Sequence, residues 1–157
     1  MFDTEIPRDA QGVPFFDGHL IATEKLMTFA GGTTNDPGDY DGTGNPATLF
    51  TVTGTVKLKI LAICEETLVG NSATLEVGTA TTTAGLIAQT TATAIDVNEI
   101  WHDNSPDASV EASTVLTETI VSDDIIQTAA TANITDGMIR YIALWYPLSK
   151  GAMVVAA

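Results

Sequence analysis

Basic residues are scarce in this chain, and that scarcity excludes more than any other feature of its composition. Six lysines and arginines stand against twenty aspartates and glutamates, a formal net charge of −14. Arg8, Lys25, Lys57, Lys59, Arg140 and Lys150 are scattered, with no basic run. A surface of this sign repels phosphate backbones, so no nucleic-acid partner is expected. Cysteine is reduced to Cys64, which rules out an internal disulfide. It lies in the apolar run Ile60–Cys64 and reads as a buried inert thiol, because no base is paired with it in the sequence. No apolar run approaches membrane-spanning length, so no membrane partner is expected. Met1–Pro7 has neither a positive n-region nor an apolar h-region, so the expectation is synthesis and folding in the cytosol.

Catalytic signatures are missing too. There is no Gly-x-Ser-x-Gly elbow. Gly31-Gly32 is followed by no helical pattern and no Lys-Ser/Thr pair, so no phosphate loop is present. Twenty scattered acids do not single out a glycosidase pair. The expectation is a protein that is not an enzyme and carries no cofactor.

What is present is apolar and β-forming. Hydrophobic residues make up 45% of 157, with Thr, Ala and Gly filling the place of charge, enough for one domain with a sizeable core. Residues 1–18 read as an N-terminal arm, punctuated by Pro7, Gly12, Pro14 and Gly18 yet carrying Phe2, Ile6, Val13, Phe15 and Phe16. Residues 19–157 read as a single β-sandwich domain, interrupted by a long acidic Gly/Asp loop over 31–47.

Within that domain a first strand is expected over 19–30. The clearest β segment is 48–66, where Val56, Leu58, Ile60, Ala62 and Cys64 alternate with Lys57 and Lys59. Leu61 and Ile63 then fall on the lysine side, which marks a surface that meets a partner or a second layer. Gly70-Asn71 predicts a hairpin into a strand over 72–79. A short helical turn is expected over 84–89 within a Thr-rich extended region. Further strands are expected over 95–103, 110–121, 124–131 and 137–148, with a short last one at Val154-Val155. Seven to nine strands and almost no helix predict an all-β, jelly-roll-like sandwich with Greek-key connections.

The stretch 137–148 holds Trp145, Tyr141 and Tyr146 and is the expected centre of the core. Ile139, Tyr141, Ala143 and Trp145 share one face; Met138, Ile142, Leu144 and Tyr146 share the other with Arg140. A strand apolar on both faces needs cover on both. One side is therefore expected in the sandwich and the other against a neighbouring copy.

Two clusters invite metal readings. Asp36, Asp39, Asp41 and Asn45 place four oxygen-bearing side chains in a glycine-rich loop, a composition calcium favours. The spacing lacks the terminal bidentate Glu of an EF-hand, so a solvated acidic turn is the reading adopted and no metal is expected. Trp101-His102-Asp103, near Asp96, Glu99 and Asp107, could be a metal or acid–base site. Zinc needs several His or Cys ligands, and only His19 and Cys64 remain to help. His102 and Asp103 as strand neighbours would point to opposite faces, so a strand end that packs Trp101 is the reading adopted.

From about Gly54 to Ser149 the chain resembles a group of small tailed-phage virion proteins. The matching pieces are Gly54-Thr-Val-Lys-Leu-Lys-Ile, Ala73-Thr-Leu-Glu-Val-Gly-Thr, Leu86-Ile-Ala-Gln-Thr-Thr-Ala-Thr, Glu99-Ile-Trp-His-Asp with Pro106-Asp-Ala-Ser, and Ile139 to Ser149. The resemblance implies a non-enzymatic virion subunit, a decoration or cement protein on the outside of the head. It further implies the major capsid protein as partner and a homotrimer as assembly. A neck, tail or head–tail joining subunit, or a carbohydrate-binding virion module with Tyr40 and Trp101 as its platform, are the alternatives. The contact residues proposed from the sequence are Phe2, Ile6, Phe15 and Phe16 of the arm, with Leu61, Ile63 and Leu144 of the sandwich.

Overall fold

A computed structural model describes residues 20–32, 35–106 and 109–157. Ten strands form in chain order: β1 (Ile21–Thr28), β2 (Ala47–Thr53), β3 (Val56–Val69), β4 (Thr74–Thr79), β5 (Thr82–Thr91), β6 (Ile100–Trp101), β7 (Thr119–Val121), β8 (Ile125–Ala130), β9 (Asp136–Pro147) and β10 (Met153–Ala156). They make two five-stranded antiparallel sheets. The first runs β1-β9-β3-β6, with β7 also pairing β3, and the second runs β10-β2-β8-β4-β5. The domain is an all-β sandwich.

Period-two alternation explains which side of each sheet meets the other. In β3, Val56, Leu58, Ile60, Ala62 and Cys64 are buried, and in β9 so are Ile139, Tyr141, Ala143 and Trp145. The register pairs Leu58 with Trp145, Ile60 with Ala143, Ala62 with Tyr141 and Cys64 with Ile139, so both sets share one face. Phe50, Val52, Leu75, Val77, Ile125 and Ala129 of the second sheet complete one continuous core. Polar pins cross it. Tyr141 donates its hydroxyl to Gln127 Oε1 at 2.5 Å, and both side chains are buried. Trp101 lies edge-on to Tyr141 with ring centroids 6.3 Å apart, and its indole N–H donates to Thr90 Oγ1 at 3.0 Å.

The structure redraws several elements expected from the sequence. The segment 48–66 is two strands in two sheets, divided at Gly54, whose φ of +69° favours glycine and whose hydrogen sits where a Cβ would lie 2.6 Å from Ser149 Oγ. The Gly70-Asn71 turn does not make a hairpin: β3 pairs with β9, and β4 pairs with β5 and β8 in the other sheet. Turn residues report a reversal of the chain, not the sheet it re-enters. Residues 84–89 form no helical turn but lie within β5, opposite β4, with Ile87 buried against the core. The surrounding threonines, stiff at χ1 and crowded in a helix, favour that outcome. The strand expected over 95–103 shrinks to β6, and that over 110–121 to β7, after a short 3-10 turn at Ser113–Val115.

Candidate interaction surface

The outer side of the first sheet is built by the residues that alternate with its core. Its cross-strand rows follow from the register: Thr28–Met138–Glu66, then Leu26–Arg140–Ile63–Ile100, then Glu24–Ile142–Leu61, then Ala22–Leu144–Lys59, then Tyr146–Lys57–Ile120. The middle of this face is aliphatic. Leu26 is 41% exposed and Ile120 66%, while Leu61, Ile63, Ile142 and Leu144 are half-buried. Aliphatic side chains gathered on adjacent rows of one outward face make it a candidate for contact.

Charges stand within the rows as well as beside them, and two of the cations, Arg140 and Lys57, are paired. Arg140 donates from Nε to Glu65 Oε1 at 2.6 Å and from Nη1 to Glu24 Oε2 at 3.3 Å. Its guanidinium is held protonated more strongly than usual, first by the Glu65 hydrogen bond. At the other end Lys57 pairs with Glu118 and lies 5.3 Å from the Tyr146 ring centroid. The Glu118 hydrogen bond, then that of Tyr146, raises the Lys57 pKa. Both pairs are solvent-exposed and order side chains more than they stabilise the fold.

Of the contact residues named from the sequence, Leu61, Ile63 and Leu144 come together here, on three consecutive rows of two neighbouring strands. Phe2, Ile6, Phe15 and Phe16, with the whole 1–18 arm, lie outside the described residues. Ile142 shares the outward face of 137–148 with Leu144, as the period of two predicts, while Leu26, Ile100 and Ile120 were not singled out in the sequence. Their shared face depends on which strands neighbour β9 and β3, and no local period carries that.

The acidic loop takes a structural role. Asp39 is 2% exposed, accepting the Gly32 N–H at 2.7 Å and the Asp36 N–H at 3.2 Å. Asn45 donates to the Tyr40 and Ala129 carbonyls at 2.8 and 2.7 Å and accepts the Ala129 N–H at 2.9 Å. Two of the four calcium candidates are thus engaged with backbone, Asp36 is tied through its N–H, and Asp41 is exposed. Among the described residues no group of three or more His, Cys, Asp or Glu side chains is placed to hold a metal ion.

Trp101 is packed at a strand end with His102 and Asp103 in the turn beyond it, as adopted from the sequence, but the two do not lie on opposite faces of a strand. Strand β6 ends at Trp101, so His102 and Asp103 sit in a bend and approach each other, with Nδ1 4.0 Å from Asp103 Oδ2. Nε2 lies 3.2 Å from Glu111 Oε2, a partner nine residues on that the sequence reading did not identify. The ring borders a pocket of 180 Å³ lined also by Ile60, Leu86 and Val115. Cys64 lies elsewhere, in the core, where its thiol donates to the Glu66 carbonyl at 3.1 Å and burial pushes its pKa up to about 11. A thiol held protonated at neutral pH is a poor nucleophile. Trp101 is fully buried, which removes it from any exposed sugar-stacking platform. No family model, curated protein or solved structure matches this chain.

Proposed function

We propose that this protein is a structural subunit of a phage virion, a decoration or cement protein that binds the outer capsid surface and stabilises the head. The aliphatic side chains on the outward face of β1, β9 and β3, uncovered among the described residues, support this reading most directly, since they equip the subunit for contact with other protein chains. The resemblance of residues 54–149 to small virion proteins supplies the setting. Successive strands alternate between the two sheets at nearly every connection, which supports a jelly-roll-like topology. A net charge of −14 suits a position on the outside of the shell, away from packaged DNA.

In this reading the partners are the major capsid protein and further copies of the chain, as a homotrimer. The arm and the outer sheet face make the contacts, and no cofactor, nucleic acid or membrane takes part. The subunit acts by burying apolar surface across capsomer boundaries, where internal pressure pulls subunits apart. Copy number per particle, by quantitative gel, tests the proposal. A count comparable with that of the capsid subunit is expected, and particles stripped of the protein should burst at lower temperature. A count that fits a single ring would assign the chain to the neck or tail instead.

A further inference from the structure

We infer that the edge of β5, with the slot between β5 and β7, receives the segment Phe2–Ile6 of a second copy as an added strand. This rests on the reading of the chain as a homotrimer whose arm makes contacts, and it names where that arm goes. The two long sides of the sandwich are finished differently. On one side β1 and β10 are tied together, Thr23 Oγ1 donating to the Val154 carbonyl at 3.2 Å and Lys25 Nζ to that of Ala157. On the other side β5 and β7 stand apart, with a slot of 250 Å³ between them. Among the described residues no backbone hydrogen bond joins β5 to any strand but β4.

That edge lacks the charges and prolines that keep sheet edges from pairing. Between Glu76 and Asp96 the chain has no charged residue and no proline, so all of β5 is bare of both. Edge strand β1, by contrast, carries Glu24 and Lys25. Backbone groups along an open edge supply affinity for an extended segment, and pockets for its alternate side chains supply selectivity. Here the pocket is the slot, with Leu86, Ile120 and Val121 as its apolar lining and Asp123 as its one charged group. Its volume exceeds the ~150 Å³ of a cavity that admits benzene, so a phenylalanine ring fits.

The occupant follows from residues 1–19, which lie outside the described residues and join the sandwich at Leu20, on the β1 side. In an extended chain Phe2, Thr4 and Ile6 share one side, and Asp3 and Glu5 the other. The first side matches the apolar slot, and the second turns the acids to water. Arg8, the one cation of the arm, follows on the apolar side, where it complements Asp123. Residues 7–19 span up to roughly 43 Å at ~3.3 Å per residue, against roughly 20 Å for the width of five strands at ~4.8 Å. The arm therefore clears its own sandwich and reaches the slot of a neighbour. One arm and one slot per copy, on opposite sides, make a head-to-tail contact, and such contacts build rings when the rotation closes. A ring of three is the homotrimer.

Cross-linking of the full chain with a short bismaleimide tests the inference, using Thr4→Cys and Thr82→Cys. Thr82 is exposed and lines the slot, while Cys64 is buried and out of reach of the reagent. Circular dichroism verifies that each variant is folded. The double variant should give covalent dimers and trimers on a denaturing gel. The two single variants refolded together should give covalent dimers, at about tenfold or more the yield of either alone, because a bound arm concentrates the two thiols. Adding Phe2→Asp with Ile6→Asp should cut that yield about tenfold, as loss of central apolar anchors does. A double variant that links only within one chain, one that gives no link, or a yield indifferent to Phe2 and Ile6 would each overturn the inference. A chain that is trimeric by sedimentation velocity yet lacks the arm-to-slot link would fail this inference and leave the homotrimer standing. A chain that stays monomeric would remove the homotrimer as well.

Discussion

At the scale of single residues, the core depends on a few polar atoms whose partners lie in the opposite sheet. Tyr141 is the clearest, because its buried hydroxyl satisfies the buried amide of Gln127. Tyr141→Phe keeps the ring and leaves that amide oxygen without the donor, at a cost of about 1–3 kcal/mol in urea unfolding. Cys64 gives a pH signature. Its pKa rises from 9.0 to about 11 on folding, chiefly through burial, and burial also raises that of Tyr141. The folded chain holds these protons more tightly than the unfolded one. The associated stability is complete below pH 9.0 and is lost as pH climbs towards about 11. Urea midpoints should accordingly fall over that window, and Cys64→Ala should flatten part of the decline. Throughout the neutral range the thiol should resist alkylation until the chain is unfolded.

At the scale of elements, β9 is the spine of the first sheet, paired with β1 on one side and β3 on the other. Trp145 is 5% exposed and donates its indole N–H to Thr23 Oγ1 at 2.9 Å, which ties β9 to the edge strand. Trp145→Ala should cost about 3–5 kcal/mol, as core aromatic deletions do, read as a loss of thermal and urea stability. The acidic loop is fixed differently. Asn45 clips it to β8 through both polar ends of its amide, and at Gly38, with φ +102°, an added Cβ would lie 2.3 Å from the Ile134 carbonyl oxygen. Asn45→Ala should therefore loosen the loop at about 1–3 kcal/mol, since the Ala129 backbone groups lose their partners. Hydrogen exchange at the Ala129 amide would report that loosening directly.

At the scale of the whole molecule, the two faces of β9 separate stability from association. Leu144 lies on the outer face beside Lys59 and Ala22, so Leu144→Asp should leave a folded chain with near-native unfolding that fails to self-associate. A folded Leu144→Asp chain that still self-associates would place the contact elsewhere. Net charge governs the non-specific part of the behaviour. Solubility should be lowest near pH 4.1, where the repulsion between copies vanishes.

The sequence by itself determined the β class, the burial of Val56 to Cys64 on alternate positions, and the two apolar faces of 137–148. These are readable because side-chain direction in a strand is a local, period-two property. It also placed Leu61 and Ile63 opposite the core, since each departs from a polar alternation visible within one strand. Local signals could not say that Gly70-Asn71 leads into the other sheet or that His102 meets Glu111. Those outcomes depend on which strands become neighbours, and neighbours are chosen by the packing of the whole core. The tertiary structure alone decided that Leu61, Ile63 and Leu144 stand side by side with Leu26 and Ile142, because only the β1-β9-β3 order brings their outward sides into one surface.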